Sequence, residues 1–286
     1  MSRKDRLNGE CTMLWNTKNG QADVGNGTMS YVSFGRGARP FVILPGLSDG
    51  LATVKGKALM LAGPYRRFFD RYTVYMFSRR DDLPEEYSIR EMAADQAIAM
   101  RRLGLEGAAV MGVSEGGMIA QYLAIDHPEL VSRLVLAVTA PRAEDLTKER
   151  LACWMKLAQE GDHKALMIDT AENSYSPAYL RKFRTSYAVI GLIGKPSDRY
   201  RRFLANARAI LSFDASEELK KITCPVLIIG GADDKIVGID ASHELQRQIA
   251  GSELFVYGKL GHAAYEEAKD FNKRVFDFLE KTLPEK

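Results

Sequence analysis

The sequence predicts an α/β fold with a mostly parallel, doubly wound sheet and an all-helical insertion. Short apolar runs typical of strands buried on both faces, such as Phe41–Leu44 and Val226–Ile229, alternate with helical segments. The alternation stops between residues 142 and 213, where we find only helical patterns, and then resumes. We therefore expect an α/β core formed by residues 1–141 and 214–286, with residues 142–213 inserted as a helical cap.

The N-terminal half is predicted to begin with hairpin strands and to continue as a parallel sheet. Asn19-Gly20 and Asn26-Gly27 are typical turn dipeptides, because both residue types tolerate positive φ. Ser88 with Glu91 three residues later forms a capping box, which marks the start of a helix. The predicted elements are strands Thr28–Phe34, Phe41–Leu44, Tyr72–Phe77, Ala108–Val113 and Leu134–Ala140, and helices Val54–Phe69, Ser88–Leu103 and Glu115–Ile125.

The C-terminal part returns to alternating strands and helices after the insertion. Within the insertion, Ser176-Pro177 is a helix start signal, with serine at the N-cap and proline at the first helical position. The predicted elements that follow are strand Pro225–Gly230, helix Ala241–Ile249, strand Glu253–Tyr257 and a long final helix Ala264–Leu283.

Composition excludes several protein classes. The 286 residues are 46% hydrophobic and 27% charged, with a net charge of +3, which gives no support to a general nucleic-acid or anionic-membrane binder. No apolar run approaches the length of a membrane span, and the basic N-terminus lacks the apolar segment of a signal peptide. Three scattered cysteines suit neither a disulfide framework nor a zinc site. We expect a cytoplasmic protein without a bound metal.

The segment Val110–Gly117 carries the strongest chemical signal. It contains Gly112-x-Ser114-x-Gly116 between a predicted strand and a predicted helix. A serine on such a sharp strand-to-helix turn is strained and exposed, and the residues two positions away must be small for the turn to close. In this context the pattern predicts that Ser114 is a nucleophile.

A nucleophilic serine needs a base, and the chain offers four histidines. His127 lies at a predicted helix end, His243 lies early in a predicted helix, and His163 lies in the insertion, where we expect it to be solvated. His262 instead follows a predicted strand, and loops at the carboxyl edge of a parallel sheet meet at one rim. His262 is therefore the predicted base, with a helix-capping role as the alternative.

The acid of a triad should lie between Ser114 and His262 in sequence, on a loop after a strand. Asp233 and Asp234 directly follow a predicted strand. One would orient the imidazole and stabilise imidazolium, and the other would bond its own backbone in the turn. The residues alone leave this choice open, with the carboxylates after Ala140, Glu144 and Asp145, as a further alternative.

These segments resemble the α/β hydrolase superfamily, in its serine-nucleophile subgroup with a helical cap after the sixth strand. The similarity extends over nearly the whole chain. It rests on Gly112–Gly117 running into MIAQYLAIDHPELV, on the strand and turn Pro225–Asp234, and on Gly261-His262.

The resemblance implies roles that spacing alone does not. Family register implies that Asp234 rather than Asp233 is the acid. It also implies an oxyanion hole formed by the backbone N–H groups of Leu47 and Glu115. Serine at position 114 disfavours the chemistry of relatives with an aspartate nucleophile, the dehalogenases and epoxide hydrolases. Two departures are Pro45-Gly46, where many relatives have His-Gly, and the charged segment Ser78–Asp82, where relatives have a glycine-rich turn.

The predicted function is therefore a serine hydrolase that cleaves an ester-type acyl bond of a small, largely apolar substrate and needs no cofactor. C–C hydrolase, thioesterase, perhydrolase and acyltransferase activities share the same triad and remain open. A ligand-binding or receptor protein on the same fold is the alternative outside enzyme chemistry. We expect a small-molecule substrate and neither nucleic acid nor membrane as partner, and we leave a homodimer open.

Other notable side chains are assigned simpler roles. Glu115 either tunes His262 or touches substrate, or it pairs with the helix dipole, which is the favoured interpretation. The arginines in Arg66-Arg67 and Tyr200–Arg202 are typical of solvated helix faces. Apolar residues of the insertion either line a substrate pocket or form the insertion's own core, and these are Trp154-Met155, Met167 and Tyr187.

Overall fold

The computed structural model describes residues 14–183, 195–196 and 198–282. Its centre is one eight-stranded sheet in the order β1-β2-β4-β3-β5-β6-β7-β8, in which β1 and β2 are antiparallel to their neighbours and the other pairs are parallel. The predicted α/β class is confirmed. The strands are β1 Lys18–Asp23, β2 Thr28–Gly35, β3 Arg39–Leu44, β4 Tyr72–Arg80, β5 Ala108–Val113, β6 Val131–Ala137, β7 Val226–Gly231 and β8 Glu253–Tyr257.

Helices cover both faces of this sheet, so the central strands are buried on both sides. Every residue of β5 and β7 is buried, which explains their continuous apolar sequences. Two hydrophobic clusters form the core, one on each face. The helices are α1 Ala58–Ala62, α2 Ile89–Arg102, α3 Glu115–Asp126, α4 Asp145–Glu160, α5 His163–Ser174, α6 Pro177–Phe183, α7 Arg201–Leu211, α8 Ile239–Gln248, α9 Ala264–Glu267 and α10 Phe271–Leu279.

Local sequence signals predicted the starts of α2 and α6 correctly. The Ser88 hydroxyl accepts from the Glu91 N–H while the Glu91 carboxylate accepts from the Ser88 N–H, so the capping box is present in full. The Ser176 hydroxyl accepts from the Tyr179 N–H at 3.2 Å at the start of α6. Both contacts satisfy N–H groups that the first helical turn leaves free.

Two turn and strand predictions were wrong. Asn19-Gly20 lies inside β1 rather than in a turn. A side chain at Gly20 would lie 2.3 Å from the Tyr31 ring, so the glycine accommodates that ring. The strand predicted at Leu134–Ala140 begins and ends three residues earlier, and the positive φ of Val138 (45°) ends its extended backbone.

Two helix predictions were too long. The predicted helix Val54–Phe69 is α-helical only in α1, and the 3-10 helix Gly63–Phe68 follows it. The final helix is divided into α9 and α10, because the backbone becomes extended at Ala268 (ψ 113°). This break places the Asp270 carboxylate 3.0 Å from the Tyr257 hydroxyl. Leu283, the predicted end of that helix, lies outside the described residues.

The described part of the helical insertion (residues 142–213) contains α4 to α7 and no named strand. Its contacts with the core are polar as well as apolar. The Thr147 hydroxyl donates to the Ile236 carbonyl at 2.8 Å, and the Ser174 carbonyl accepts from the Ala263 N–H at 2.9 Å. Ile236 and Ala263 lie in the loops after β7 and β8. The exact boundaries of the core and of the insertion stay predictions.

None of the helices in the described ranges is both long and apolar enough to cross a membrane.

The end of β3 and the start of α3 approach each other closely at a glycine. A Cβ atom at Gly116 would lie 2.0 Å from the Leu44 carbonyl oxygen and 2.6 Å from the Pro45 oxygen. Both atoms belong to the backbone and cannot rotate away. The packing of α3 against β3 therefore requires glycine at position 116.

We expect Gly116→Ala to lower the free energy of unfolding by about 3 kcal/mol, because overpacking against backbone forces β3 and α3 apart. Gly258→Ala is the matched control. Gly258 is exposed, does not have a positive φ and has open space around it, so alanine there should leave stability unchanged or raise it by about 0.4–1 kcal/mol. Urea unfolding of both variants measures the difference, and equal effects would contradict the steric argument.

Candidate active site

The turn between β5 and α3 holds Ser114 in a strained conformation. Ser114 has φ 53° and ψ −119°, outside the regions that residues with a Cβ normally adopt. Its N–H donates to the Ala137 carbonyl at 2.9 Å, and its carbonyl accepts from the Thr139 hydroxyl at 2.7 Å. A Cβ atom at Gly112 would lie 2.3 Å from the Gly116 oxygen. The glycines of the sequence motif therefore let the turn close around the serine.

Ser114, His262 and Asp234 form one continuous chain of hydrogen bonds. The Ser114 Oγ lies 2.9 Å from His262 Nε2, and His262 Nδ1 lies 2.8 Å from Asp234 Oδ2. With the proton on Nδ1, the imidazole donates to the carboxylate and its Nε2 can accept the serine proton. His262 follows β8 and Asp234 follows β7, so both lie at the carboxyl edge of the sheet with the serine turn.

The two adjacent aspartates occupy different environments. Asp234 is buried, and its Oδ1 accepts from the N–H groups of Ile236 and Val237 at 2.8 and 3.0 Å. Asp233 is exposed. Burial raises the pKa of the Asp234 carboxyl, but the charge and hydrogen bond of His262 and the two N–H donors outweigh it, so the pKa lies below its usual value. Asp234 is therefore the aspartate that remains ionised against the imidazole.

Both segments of the predicted oxyanion hole lie beside Ser114. Glu115 is the first residue of α3, and Leu47 begins the 3-10 turn Leu47–Gly50 after β3. A Cβ atom at Gly46 would lie 3.2 Å from the Ser114 Cβ, so glycine lets this loop approach the serine. Leu47 and Ser114 line the same cavity. The oxyanion role of the two N–H groups stays a prediction.

A cavity of about 110 Å³ opens onto Ser114 and His262. None of its described lining residues is an aspartate, glutamate, lysine or arginine. The Trp154 indole forms part of the wall and donates its N–H to the Asp169 carboxylate at 2.8 Å. The remaining lining residues are Gly46, Leu47, Ser48, Met118, Thr147, Leu151, Thr170, Ser174, Ile210, Ile236, Val237 and Tyr265.

Some side chains were assigned wrongly from the sequence. His163 is buried rather than solvated, with its ring 5.9 Å from that of Tyr200. Arg202 does not lie on a solvated face, because its side chain is 11% exposed and pairs with the buried Asp49 at 2.7 Å. For Trp154 the sequence left a pocket role and a core role open, and the structure shows that it lines the cavity. Tyr187, one of the other candidate pocket residues, lies outside the described residues.

Glu115 has a partner that the sequence did not reveal. Its side chain is fully buried, and its Oε2 lies 3.0 Å from Nη2 of Arg79, which is itself 3% exposed. Burial raises the pKa of the Glu115 carboxyl, although the Arg79 guanidinium opposes that effect. The favoured interpretation, a glutamate paired only with the helix dipole, omitted this ion pair. The one indication of this ion pair in the sequence was the charged segment Ser78–Asp82, which stands where relatives have a glycine-rich turn.

Comparisons with known proteins identify the family of this chain. The sequence profile of the alpha/beta hydrolase fold family matches residues 39–269. The chain belongs to the α/β hydrolase family. It is 30% identical over 209 residues to "Putative carbamate hydrolase RutD" of Klebsiella pneumoniae subsp. pneumoniae, covering 71% of this chain and 77% of that protein. The protein is therefore a hydrolase and an enzyme of this family, as the sequence resemblance implied.

Two other members show the range of reactions among similar α/β hydrolases. A 2-hydroxy-6-oxononadienedioate/2-hydroxy-6-oxononatrienedioate hydrolase of Pseudomonas sp is 28% identical over 190 residues, covering 63% of this chain and 65% of that protein. The crystal structure of the enol-lactonase from Burkholderia xenovorans LB400 superposes with a TM-score of 0.77 at 22% identity, covering 92% of this chain and 100% of that one. The latter likeness concerns the fold alone.

The lowered pKa of Asp234 predicts how stability depends on pH. A carboxyl whose pKa is lower in the folded than in the unfolded chain stabilises the fold at neutral pH, and this contribution is lost as the pH falls below about 4. We expect Asp234→Asn to be less stable than the wild type at pH 7, and the difference to shrink at pH 3. Urea titrations at both pH values measure it.

Asp233→Asn is the control for this measurement, because the Asp233 side chain is exposed. Its free energy of unfolding should follow that of the wild type at both pH values. A penalty for Asp234→Asn that grows toward low pH would contradict the assignment.

Proposed function

We propose that the protein is a serine hydrolase that cleaves ester-type acyl bonds of small, uncharged, largely apolar substrates. The observation that carries this proposal is the hydrogen-bonded chain from Asp234 through His262 to Ser114, which ends in an uncharged cavity. Serine hydroxyls are weak nucleophiles at neutral pH, and a histidine held by a carboxylate activates them. We infer a cytoplasmic location and a small-molecule substrate, with a homodimer left open.

The reaction proceeds through an acyl-enzyme. Ser114 Oγ attacks the carbonyl carbon while its proton passes to His262 Nε2, and the carbonyl electron pair moves onto oxygen. Asp234 holds the imidazole with its proton on Nδ1 and stabilises the imidazolium that forms. The N–H groups of Leu47 and Glu115 donate to the oxyanion. The intermediate then expels the alcohol, which takes the proton from His262.

Water completes the cycle by the same route. It attacks the acyl carbon while His262 accepts its proton. The tetrahedral intermediate collapses, releases the carboxylic acid and returns the proton to Ser114. One cycle consumes an ester and a water molecule, releases an alcohol and a carboxylic acid, and returns Ser114 and His262 to their starting protonation states.

The cavity supports the substrate class. Its volume of about 110 Å³ is smaller than the cavity of about 150 Å³ that accommodates benzene in an engineered protein, which favours a short acyl group. A carboxylate on the acyl group would be buried without a cationic partner among the described lining residues, at a high free-energy cost. This argues against a dioate substrate like the one named for the Pseudomonas relative, and so favours ester over diacid C–C cleavage.

A binding protein on the same fold is the alternative. Recognition alone does not require a strained serine, a histidine and a buried carboxylate aligned within hydrogen-bond distance. The backbone strain at Ser114 costs about 1–3 kcal/mol, and this strain brings no advantage to a protein that only binds a ligand. The complete arrangement therefore favours the enzyme.

Covalent labelling tests the proposal. We expect a fluorophosphonate probe to react with the wild type and to leave Ser114→Ala unlabelled. Ser114→Ala should lose about 10⁴-fold or more in kcat on p-nitrophenyl acetate, because only the oxyanion donors and substrate binding remain. Asp234→Asn should lose about 10⁴-fold because the imidazole tautomer changes, whereas Asp233→Asn should retain most activity.

Circular dichroism of each variant is the folding control. A folded Ser114→Ala protein with near-wild-type turnover would refute the serine-hydrolase proposal. A folded wild type that neither labels nor hydrolyses would favour the binding protein.

Acyl chain length tests the cavity argument. We expect kcat/KM to be at least about tenfold higher for acetyl and butyryl esters than for the octanoyl ester, since the longer chain exceeds the cavity. Ile210→Ala enlarges the cavity and should raise the ratio of octanoyl to acetyl turnover. Leu204→Ala, on the same helix but outside the described lining, is the matched control. A chain-length profile that is flat in all three proteins would overturn the size limit.

A further inference from the structure

One atom of Arg79 connects the two backbone segments of the proposed oxyanion hole. Arg79 lies at the end of β4, and its Nη2 donates to the Pro45 carbonyl at 2.6 Å. The same Nη2 lies 3.0 Å from Glu115 Oε2. Pro45 is two residues before Leu47, and Glu115 bears the second N–H. The guanidinium therefore bridges the segment after β3 to the start of α3.

This bridge depends on a single guanidinium nitrogen. Nε and Nη1 of Arg79 and both carboxylate oxygens of Glu115 have no hydrogen-bond partner within the described ranges, so the 3.0 Å contact between Nη2 and Oε2 is an ion pair. Nη2 thus makes the polar side-chain connection between the two segments. Because both side chains are almost completely buried, water does not replace that connection when it is removed.

A second pair supports the same loop from the side of the helical insertion. Asp49, in the turn that Leu47 begins, accepts at Oδ2 from the Arg79 N–H at 3.1 Å and from Arg202 Nη2 at 2.7 Å. Arg202 lies on α7 and also donates to the Arg79 carbonyl at 2.8 Å and to the Arg80 carbonyl at 2.6 Å. The loop is therefore held both by β4 and by the insertion.

Stability of the fold alone does not explain these two buried ion pairs. Two cations and two anions are withdrawn from water, and an apolar replacement of such a group is often as stable or more stable. Its position offers a different explanation. Oxyanion stabilisation depends on donors held within a few tenths of an ångström of the developing charge, and an arrangement of fixed ionic contacts preserves that spacing.

We propose that Arg79 is a positioning residue that sets the spacing of the Leu47 and Glu115 N–H groups by bridging Pro45 and Glu115. This inference rests on the proposed serine-hydrolase function. Arg79 touches neither substrate nor the reacting atoms and acts through the two segments that it joins. A lysine would keep the charge, but its side chain is one bond shorter than the path to Arg79 Nη2, so its ammonium would not reach both groups.

The experiment compares Arg79→Met, Arg79→Lys and the double variant Arg79→Met/Glu115→Met on p-nitrophenyl acetate. We expect kcat of Arg79→Met to fall about 10- to 100-fold with KM within about threefold of the wild type. Arg79→Lys should fall about tenfold, because retained charge alone does not restore the spacing. The affinity for 1,1,1-trifluoroacetone, which forms a tetrahedral adduct with serine, should fall in parallel with kcat/KM.

The double variant separates positioning from charge balance. Removing both members of the pair eliminates the unpaired buried carboxylate, so its melting temperature should exceed that of Arg79→Met. Its kcat should nevertheless stay at least tenfold below the wild type. Arg80→Met is the matched control. The Arg80 side chain contacts Asp95 at 3.7 Å and the Tyr87 ring, away from Glu115, and this variant should keep the wild-type kcat.

Several outcomes would overturn the inference. These are a folded Arg79→Met with kcat within threefold of the wild type, full rescue by lysine, or recovery of kcat in the double variant. If Arg79→Met does not fold, the lysine and double variants are judged by the same limits. A wild type that neither hydrolyses the ester nor reacts with fluorophosphonate refutes the proposed function itself, and that result precedes any comparison of variants.

Discussion

The strained backbone at Ser114 is the constraint on which the rest of the site depends. A serine at φ 53° would relax toward a helical or extended conformation if its flanking elements could move. They cannot, because β5 is buried along its whole length and residues 115–125 of α3 are all buried. Complete burial of Met118, Ile119 and Leu123 alone provides several kcal/mol. This exceeds the strain of about 1–3 kcal/mol, so the core holds the hydroxyl at the cavity.

Polar contacts connect the helical insertion to the loops that form the site. Its described residues make polar contacts with each loop that brings a group to Ser114. Because each contact joins a helix of the insertion to a backbone or side-chain group of a loop, a shift of the insertion would displace the site. The contacts are Thr147 to the Ile236 carbonyl beside the acid, the Ser174 carbonyl to the Ala263 N–H beside the histidine, and Arg202 to Asp49 beside the oxyanion loop.

The elements that the sequence predicted are those with local causes. Strands β5 and β7 read as apolar runs because both faces are covered, and α2 begins at a complete capping box. The triad candidates followed from short motifs at the ends of strands, since the carboxyl ends of parallel strands meet at one rim. The structure places His262 within hydrogen-bond distance of both Ser114 and Asp234.

The features that sequence reasoning missed depend on distances across the fold. Arg79 and Glu115 are separated by two elements of the chain, and no local pattern shows that they meet in the interior. The sequence around Arg202 is typical of an exposed helix arginine, and only the folded chain shows that Asp49 lies beside it. The end of β6 was missed for a different, local reason, because the positive φ of Val138 ends the strand although the apolar pattern continues.

The distribution of charge explains how one site can combine an uncharged cavity with strong electrostatics. Arg79, Arg202, Asp49 and Glu115 lie behind the oxyanion loop and balance one another, so they add little net charge to the cavity. In the proposed mechanism, the developing oxyanion is met by oriented N–H groups and by the positive end of α3, which need no counter-ion in the cavity. An anionic substrate would find no described cation to pair with its own charge. If the proposed function is correct, selection against charged substrates and stabilisation of a transient negative charge both follow from the same arrangement.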